Sequence, residues 1–571
     1  MKDFKYTTLL LSLAVILATG CGSTDEVINE VDNVLNNETE NSCVEITGVI
    51  DKDTVWNHSC YTLKGSITVA KNKLLTIKEG STITFPKNSY LAIEGALKAV
   101  GTAEKPIVFT GTTKSAGHWQ GLQFSNSVDD RNELNHVVIE YAGSWNYGAL
   151  YTADATTLKV KNTTIRRNKL NGFYFSNDTK LLEFTNVTST ENEKSAGSVS
   201  PNLLAVIGGD NDFSGNEDNY LTVRAGTVTF NQTWSALNVP LFIDRYFIIK
   251  ENKLLTIEAG AKLEFANSGY IVINGALKAV GTSKLIDPTT GDVTPAKPII
   301  FTGSTKSAGH WQGLQFKNAI DTRNELANVV LEYAGSWSYG ALYTSGATSL
   351  KIRDTIIKDN KLYGFFFSDE TKLIEFKNVT STKNEKTAGS VHPNHLSIID
   401  GTSDFTGNTD DYLTIRSGVV SFNQTWTPLS VPVFVDRFFT IKKDKLLTIK
   451  EGAKFEFTSS GYILVYGGLK AVGSKNSKIL FSGSTKSKGF WQGIQFSNAV
   501  DSRNELAYMT LEYAGSWSYG AIVAGESTTL NLHDSLIQNN KLFGLWIDGS
   551  AKVTTKNNTF INNDDGDIHQ D

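Results

Sequence analysis

Lys306-Ser-Ala-Gly-His-Trp-Gln-Gly-Leu-Gln-Phe316 is a stretch that occurs a second time, letter for letter, at 114–124. It returns with small changes at 486–496, where Phe490 replaces the histidine. Each copy is followed at the same distance by a second phrase, which reads Glu140-Tyr-Ala-Gly-Ser-Trp-Asn-Tyr-Gly-Ala149 in the first copy. The chain is therefore predicted to consist of three long copies of one unit.

The unit is about 180 residues long, which is much longer than the period of common solenoids. The second copy carries an insertion, roughly Leu285–Ala296, whose two prolines and one glycine are typical of a loop. The third copy stops early. The three copies are placed at 46–225, 226–417 and 418–571.

A shorter rhythm lies within each unit. Runs of three to five residues with alternating apolar and polar side chains are separated by Gly, Asn and Asp, which predicts short strands buried on one face. Runs of this kind in the first copy include Leu75–Ile77, Tyr90–Ile93, Ile107–Phe109, Leu122–Phe124, Val137–Tyr141 and Phe173–Phe175. An array of β-sandwich domains is the alternative, but it would require regular hairpin turns, and dipeptides such as Asn-Gly are scarce.

Strands of this length at coils of about 20–27 residues predict an all-β chain folded as a right-handed parallel β-helix, with successive coils about 4.8 Å apart. Roughly 22 coils would form a rod of roughly 100 Å. Asn168, Asn360 and Asn540 each precede Lys-Leu-X-Gly. They are expected at turns, where their amides can form ladders from coil to coil. The polar tail at 562–571 is expected to cap the last coil.

Four segments of the first copy carry a family resemblance: Leu74–Gly80, Gly95–Thr102, Lys105–Phe109 and Trp119–Phe124. Together they resemble the signature of bacterial surface proteins with parallel β-helix repeats, and the likeness recurs in all three copies. The resemblance implies the fold and an exported location. It implies little about activity, because one fold hosts many functions.

The N-terminus reads as an export signal. Two lysines precede the apolar run Leu9–Leu17, which is short for a transmembrane helix. Leu17-Ala-Thr-Gly-Cys21 resembles a bacterial lipobox, which implies a signal peptide at 1–21 and a lipid anchor on Cys21. Gly22 favours the outer membrane by the same resemblance. An ordinary signal peptide with a coincidental cysteine is the alternative.

Residues 22–44 are acidic and polar, and we expect them to form a flexible tether before the β-helix at 45–571. Cys43 and Cys60 are expected to pair in an oxidising compartment, although two free thiols are the alternative. The net charge of −5 and the absence of a basic cluster argue against nucleic-acid binding. We expect a monomer.

An enzyme must be considered, because parallel β-helices include polysaccharide lyases and glycosidases. The nearest candidate for acid, base and charge clamp is Val128-Asp-Asp-Arg-Asn-Glu-Leu134, which recurs in similar form at 320–326 and 500–506. The alternative is a turn in which the arginine pairs with neighbouring carboxylates. Three near-identical copies argue against catalysis, since one active site normally breaks a repeat pattern. We therefore assign no catalytic residue.

Two further groups of residues, the repeated histidines and an acidic stretch, have side chains that can bind metals. His118 and His310 are replaced by Phe490 in the third copy, so they are expected to be packed rings rather than metal ligands. Ca²⁺ is conceivable at Gly209–Asp218, where oxygen-bearing side chains alternate, but a solvated turn is the alternative. We expect no metal site and no other cofactor.

The strongest functional candidates are aromatic residues within Gly-Ser-Trp-x-Tyr-Gly. They are Trp145, Tyr147, Trp337, Tyr339, Trp517 and Tyr519. In loops between strands such rings can stack on sugars, and Glu140, Glu332 and Glu512 are near enough in sequence to hold hydroxyls. Three weak sites about 35–40 Å apart would suit one long polysaccharide through avidity. The alternative is that each Trp folds back over its own coil.

These observations favour a non-enzymatic β-helix rod that is anchored to the outer membrane or cell surface and serves adhesion or polysaccharide binding. A polysaccharide lyase or glycoside hydrolase is the alternative. A purely structural spacer is a third possibility.

Overall fold

The computed structural model describes residues 43–145, 147–286, 289–337, 339–517 and 519–571. The expected signal peptide, Cys21 and all but the last two residues of the expected tether lie outside the described residues. No described helix is long and apolar enough to cross a membrane.

The described chain is a parallel β-solenoid of about 21 turns, which confirms the predicted right-handed parallel β-helix. Most turns contribute one strand to each of three sheets, and each strand pairs in parallel with the equivalent strands of the neighbouring turns. The two turns at the junctions and the last described turn contribute only two strands. The alternation read from the sequence sets the orientation of the strands. In Leu74–Ile77, for example, Leu75 and Ile77 point into the core while the other two side chains are half-buried.

Three sheets form the sides of the first repeat. Sheet A contains Val44–Ile46, Cys60–Leu63, Thr82–Phe85, Ile107–Gly111, Val137–Glu140, Thr164–Arg166 and Thr188–Thr190. Sheet B contains Val49–Ile50, Ile67–Val69, Tyr90–Ile93, Gly121–Ser125, Gly148–Ala153, Asn171–Phe175, Ser195–Val199, Asp218–Val223, Leu241–Ile243, Lys262–Phe265, Ile299–Gly303, Val329–Glu332, Ile356–Lys358 and Thr380–Thr382. Sheet C contains Thr54–Trp56, Leu74–Ile77, Ala96–Val100, Glu133–Asn135, Thr156–Lys161 and Thr179–Thr185.

Four further sheets complete the rod. Sheet D contains Gly226–Val228, Tyr246–Ile249, Tyr270–Ile273, Gly313–Lys317, Gly340–Ser345, Tyr363–Phe366, Gly389–Val391, Leu413–Ile415, Val433–Val435, Lys454–Phe457, Ile479–Gly483, Met509–Glu512, Leu536–Gln538 and Thr559–Ile561. Sheet E contains Gln232–Trp234, Leu254–Ile257, Ala276–Val280, Glu325–Ala327, Thr348–Arg353 and Thr371–Lys377. Sheet F contains Gly418–Val420, Phe438–Ile441, Tyr462–Val465, Gly493–Phe496, Gly520–Ala524, Phe543–Ile547 and Ile568–Gln570. Sheet G contains Gln424–Trp426, Leu446–Ile449, Gly468–Val472, Glu505–Ala507, Thr529–His533 and Lys552–Lys556.

The repeats do not stack in phase. Sheet B holds the second strand of each turn in repeat one but the first strand of each turn in repeat two, and sheet D links repeats two and three in the same way. At the first junction Asp218–Val223 pairs directly with Ser195–Val199, after an intervening 3₁₀ helix at Pro201–Ala205. The unit therefore contains a whole number of turns plus about one third. Each repeat begins one side further round the rod.

Two small elements were not predicted as such. The second junction carries another 3₁₀ helix, Pro393–His395. The insertion that the sequence indicated as a loop contains a short antiparallel hairpin between Leu285–Ile286 and Val293–Thr294. At the C-terminus the tail expected to act as a polar cap contributes the strand Ile568–Gln570, which continues sheet F.

Each repeated Trp-Gln-Gly places its tryptophan in the core. The indole of Trp119 stacks on Phe85 with ring centroids 3.9 Å apart, and its Nε1–H donates to the Glu140 carbonyl at 2.9 Å. Trp311 and Trp491 repeat the arrangement and are likewise fully buried. The tryptophan of this motif thus fills the core and satisfies its polar atom.

The predicted asparagine ladder is present. The side chain of Asn168 donates to Asn192 at 2.8 Å, and that of Asn192 donates to Asn216 at 2.8 Å. The second repeat has an equivalent ladder of three asparagines that starts at Asn360. The third repeat has a ladder of two that starts at Asn540. All these asparagines except Asn408 and Asn563 are buried, so most of the amides satisfy one another where water cannot enter.

We expect Asn192→Ala to reduce the free energy of unfolding by about 2 kcal/mol, because it leaves the buried backbone N–H and side-chain amide of Asn168 without their acceptor. It also removes one of the two donors to Asn216, since the backbone N–H of residue 192 keeps the other bond. Urea denaturation of the variant measures the effect. Asn135→Ala is the matched control, since Asn135 accepts only one amide bond, at 2.9 Å, in a half-buried surface ladder. Equal losses in the two variants would contradict the importance assigned to the buried ladder.

The N-terminal turn is fastened by a disulfide. Cys43 and Cys60 are bonded, with their Cα atoms 4.6 Å apart. The bond links the residue before the first strand to the strand that pairs with it, since Val44–Ile46 lies beside Cys60–Leu63 in sheet A. A covalent link at this end limits opening of the first turn.

Candidate functional site: three aromatic patches

The six aromatic residues selected from the sequence lie in equivalent corner loops of the three repeats. In repeat one the loop joins Val137–Glu140 of sheet A to Gly148–Ala153 of sheet B. The Ser144 backbone N–H donates to the Trp119 carbonyl at 3.1 Å. The Asn171 side chain donates to the Tyr147 carbonyl at 2.8 Å. The buried tryptophan and the next turn therefore hold the loop.

The tryptophans of these loops face solvent. Trp145, Trp337 and Trp517 are 57%, 57% and 58% exposed, although the core tryptophan of each repeat is fully buried. The alternative in which each loop tryptophan folds back to cover the core does not describe the structure. Large rings held outside the core in three equivalent loops are available for contact with a ligand.

Aromatic patch one consists of Trp145, Tyr147, Tyr151 and Tyr174. The ring of Tyr147 lies 6.0 Å from that of Tyr151 and 4.7 Å from that of Tyr174. Tyr151 and Tyr174 are direct neighbours across sheet B, with centroids 5.7 Å apart. Burial, and secondarily the neighbouring tyrosines, raises the pKa of the Tyr151 hydroxyl. The Tyr151 hydroxyl is therefore protonated at neutral pH and can donate a hydrogen bond.

Aromatic patch two consists of Trp337, Tyr339, Tyr343 and Phe366 in sheet D and its corner loop. The ring of Tyr339 lies 4.8 Å from Tyr343 and 4.9 Å from Phe366. Lys317 places its ammonium 5.8 Å from the Trp337 ring. The ring contacts of patch two otherwise repeat those of patch one.

Aromatic patch three consists of Trp517, Tyr519, Val523 and Trp546 on sheet F. Tyr519 contacts Trp546 with centroids 4.6 Å apart. Val523 stands where the other repeats have a tyrosine, and the smaller side chain opens a groove of about 580 Å³ between Trp517 and Trp546. At patch two the space lined by Trp337, Tyr339 and Tyr343 is about 10 Å³, and a second hollow of about 290 Å³ is lined by Trp337, Lys317 and Tyr270.

A pair of glutamine side chains lies beside each patch. In repeat two Gln315 donates to Gln312 at 3.0 Å, and both line the space under Trp337. The buried Oε1 of Gln315 has no hydrogen-bond partner among the described residues. The same pairs, Gln123 with Gln120 and Gln495 with Gln492, occur in the other repeats. Amides next to rings are suited to hydroxyl groups of a ligand.

Each patch begins a longer row of outward-facing side chains, which we call a lane. In repeat two the lane crosses six successive strands of sheet D. In repeat one it crosses six strands of sheet B, and in repeat three it ends after four. The lanes are Gln123, Tyr151, Tyr174, Ser198, Thr222 and Phe242; Gln315, Tyr343, Phe366, Ser390, Thr414 and Phe434; and Gln495, Val523, Trp546 and His569.

An arginine links the two halves of a lane, and sequence reasoning missed it. The guanidinium of Arg416 lies 4.2 Å from the Phe366 ring centroid, donates to the Ser390 hydroxyl at 3.0 Å and pairs with Asp369 at 2.8 Å. Arg224 has the same role in repeat one. The sequence signal for this arginine is a repeated Leu-Thr pair, beginning at Leu221 and at Leu413, that is followed two residues later by the arginine in both repeats.

The part of lane two around Arg416 is a groove of about 280 Å³. Asp410, Asp436 and Lys386 line it together with Tyr412. Burial, and secondarily Asp410, raises the pKa of Tyr412 to about 12. Tyr412 stacks on Phe434 with centroids 4.3 Å apart. This junction groove is the most strongly charged part of the lane.

The glutamates expected to hold ligand hydroxyls are used internally. Glu140 lies in sheet A, not beside the patch in sheet B, because the chain turns a corner at Tyr141 with φ of 62°. Its carboxylate accepts from Thr110 at 3.0 Å and from Arg166 at 3.0 Å. Glu332 and Glu512 make equivalent bonds. Assigning these residues to a ligand was wrong for this reason.

The Asp-x-Arg-Asn-Glu turns satisfy themselves. Arg131 donates to both oxygens of Asp129, at 2.9 Å from Nε and 2.6 Å from Nη2. That hydrogen bond holds the pKa of Asp129 below its usual value. Asn132 is buried and accepts from the Leu97 N–H at 2.9 Å. The same pairing occurs at 321–323 and 501–503. These residues build turns.

The other weighed sites are also occupied by protein contacts. Asp212, in the stretch considered for Ca²⁺, accepts from the Ser214 hydroxyl and from Asn238, both at 2.6 Å. The described residues contain no group of three or more His, Cys, Asp or Glu side chains arranged for a metal ion. His310 makes a 3.1 Å hydrogen bond to Ser304 in its own turn. Burial lowers the pKa of His310.

Comparison with known proteins finds a similar family for part of the chain. The family model described as "Pectate-lyase like beta helix domain" matches residues 48–157. Over these residues the chain is similar to that family. The matched segment includes aromatic patch one as far as Tyr151. No curated protein and no solved structure matched the chain in these comparisons.

Proposed function

We propose that the protein is a surface-anchored β-helix rod that binds extended, uncharged polysaccharide through its aromatic patches and does not cleave it. The observation that carries this proposal is the exposure of Trp145, Trp337 and Trp517 in three equivalent, internally braced loops. Aromatic side chains held rigidly outside a core lose little entropy when they stack on a ligand. The pectate-lyase-like β-helix supports a role with polysaccharides.

The chemistry shared by the patches favours an uncharged ligand. Each patch has rings and a glutamine pair, whereas the nearby charges differ in sign. Arg224 lies over Tyr174 in patch one, and Lys317 lies beside Trp337 in patch two. The groove of patch three is instead lined by Glu526 and Asp548. A ligand recognised by all three patches must therefore rely on stacking and hydroxyl contacts.

The strand spacing favours an extended chain. Side chains along a lane are about 4.8 Å apart, so six strands cover roughly 24 Å. A sugar residue in an extended β-1,4-linked chain advances by a similar step and offers flat C–H faces. A β-linked hexose polymer lying parallel to the rod axis would therefore advance by about one sugar for each strand of the lane.

The sequence of the N-terminus supports the location. A lipid on Cys21 and a tether at 22–44 would attach the rod to the outer membrane or cell surface. A rod of roughly 100 Å would hold its patches away from that surface. Adhesion to a glycan-bearing surface is the expected consequence, and no cofactor is required.

Polysaccharide cleavage is the second candidate function. It is favoured by the junction groove, in which Asp410 and Asp436 lie with Lys386 and Arg416. Carboxylates and cations in one groove are the groups needed for acid–base cleavage of a glycan. Against it, Arg416 is already paired with Asp369 and bonded to Ser390.

Replacing Trp145, Trp337 and Trp517 together with alanine is expected to weaken polysaccharide binding at least tenfold, since each substitution removes an exposed stacking surface. Affinity electrophoresis of the full chain in gels containing hydroxyethylcellulose, galactomannan, polygalacturonate or hyaluronate measures the change. Retardation is expected in the two uncharged polymers. The same mixtures are assayed for new reducing ends and for ultraviolet absorbance of unsaturated products.

The matched control replaces Val128, Ile320 and Val500 with alanine. These residues are also apolar, exposed and repeated three times, but they lie in the turns that precede the Asp-x-Arg pairs. The control is expected to bind like the unchanged chain. Product formation would replace the binding proposal with the enzymatic one, and equal retardation of the tryptophan variant would remove the patches from the account.

A further inference from the structure

We infer that the three lanes bind three separate polysaccharide chains, so that the rod cross-links chains instead of gripping one chain at three points. This inference rests on the proposed function. It follows from the direction in which each lane faces.

The phase of the repeats sets those directions. Lanes one, two and three lie on sheets B, D and F, each of which carries the second strand of the turns in its own repeat. One turn of repeat two passes from sheet B to sheet D to sheet E, and one turn of repeat three passes from sheet D to sheet F to sheet G. In a three-sided coil wound in one sense, B, D and F are therefore on three successive sides.

Each lane also ends before it could meet another on the same side. In sheet B, lane one is followed by Glu264 and then by Thr302, which is buried. Lys306 covers this position, donating to the Thr302 hydroxyl at 2.8 Å. In sheet D, Glu456 and the buried Ser482 follow lane two, and Lys486 donates to Ser482 at 2.9 Å.

A stiff chain lying along one lane is thus stopped by a carboxylate and a covering loop, and the next lane faces another side. This inference replaces the expectation that the three sites suit one long polysaccharide through avidity. Effective concentration between sites is small when one ligand cannot span them. Three lanes on three sides would instead allow one rod to link separate polysaccharide chains.

The test uses the full chain with cellohexaose and with hydroxyethylcellulose. Calorimetric titration of cellohexaose should give three sites per chain. Light scattering should show hydroxyethylcellulose particles growing severalfold when the chain is added. Three variants that each keep one patch, made by replacing the other two loop tryptophans with alanine, should bind one cellohexaose and leave the polymer size unchanged.

The outcomes separate the inference from the function on which it rests. If the one-patch variants enlarge the polymer as much as the unchanged chain does, or if that chain binds one cellohexaose, cross-linking through three lanes is overturned. If it binds neither cellohexaose nor hydroxyethylcellulose, the proposed ligand class itself is overturned. Circular dichroism of each variant verifies that its β-helix is intact.

Discussion

Gly313→Ala should reduce the free energy of unfolding by at least about 4 kcal/mol, because the backbone at this position cannot accept a side chain without strain. Gly313 has φ of +115°, and a Cβ there would overlap the carbonyl oxygen of Ala341 in the next turn. Both atoms belong to paired strands of sheet D, so neither can move without breaking the ladder. This explains the glycine of the Trp-Gln-Gly motif, since Gly121 and Gly493 are in the same position.

Urea denaturation measures this effect, and hydrogen exchange at Gly313–Lys317 shows whether the loss is local. Gly65→Ala is the control, because Gly65 has no atom within 4 Å of the added Cβ and no positive φ. The control is expected to change stability by less than about 1 kcal/mol. A Gly313 variant as stable as the control would contradict the close approach of these turns.

The second junction should lose stability in acid because of His395. This side chain is 4% exposed, and burial lowers its pKa from 6.5 to about 4. Its Nε2–H donates to the Thr371 carbonyl at 2.8 Å, and Nδ1 accepts from the His392 N–H at 3.2 Å. The neutral ring therefore has both nitrogens satisfied. A proton on Nδ1 would face an N–H donor.

Because the pKa of His395 is lower in the folded chain than in the unfolded chain, the fold loses stability as the pH falls. Stability from the neutral ring is complete above pH 6.5, where the unfolded ring is also neutral, and it is lost as pH falls towards 4. A shift of this size corresponds to about 3 kcal/mol. His392, Arg416 and Asp369 face the ring and alter its titration, but burial has the largest effect.

His395→Leu tests this, because repeat one has the buried Leu203 at the equivalent position. Urea denaturation at pH 7 and at pH 4.5 is compared for both chains. The variant should gain up to about 3 kcal/mol relative to the unchanged chain on acidification, since it has no proton to take up. If the difference between the two chains is the same at both pH values, His395 does not titrate as described.

Much of the fold could be predicted from the sequence. Alternating runs such as Leu74–Ile77 require a buried face, and residues repeated letter for letter require equivalent surroundings. The asparagine ladder was predictable because Asn168 recurs before the same Lys-Leu-X-Gly. The offset between repeats was not, because it depends on a fraction of a turn at each junction, and the 3₁₀ helix Pro201–Ala205 adds that fraction without an apolar periodicity.

The site was only partly predictable. Each repeat has three tryptophans at equivalent positions, and spacing alone does not tell that Trp119 is inside the core and Trp145 outside it. The distinction comes from Trp119, whose indole N–H is bonded to the chain as it leaves the core. Glu140 was misplaced because a single residue with positive φ, Tyr141, carries the chain to another sheet. Arg416 was missed because its partners lie in other turns.

Calorimetric titration of cellohexaose into the full chain and into the triple tryptophan variant tests the central claim most directly. The account predicts heat of binding for the unchanged chain, loss of at least tenfold in affinity when Trp145, Trp337 and Trp517 are alanine, and no new reducing ends in either mixture. Equal binding by both chains would contradict the assignment of the aromatic patches. Cleavage of cellohexaose would contradict the claim that the rod binds without reacting.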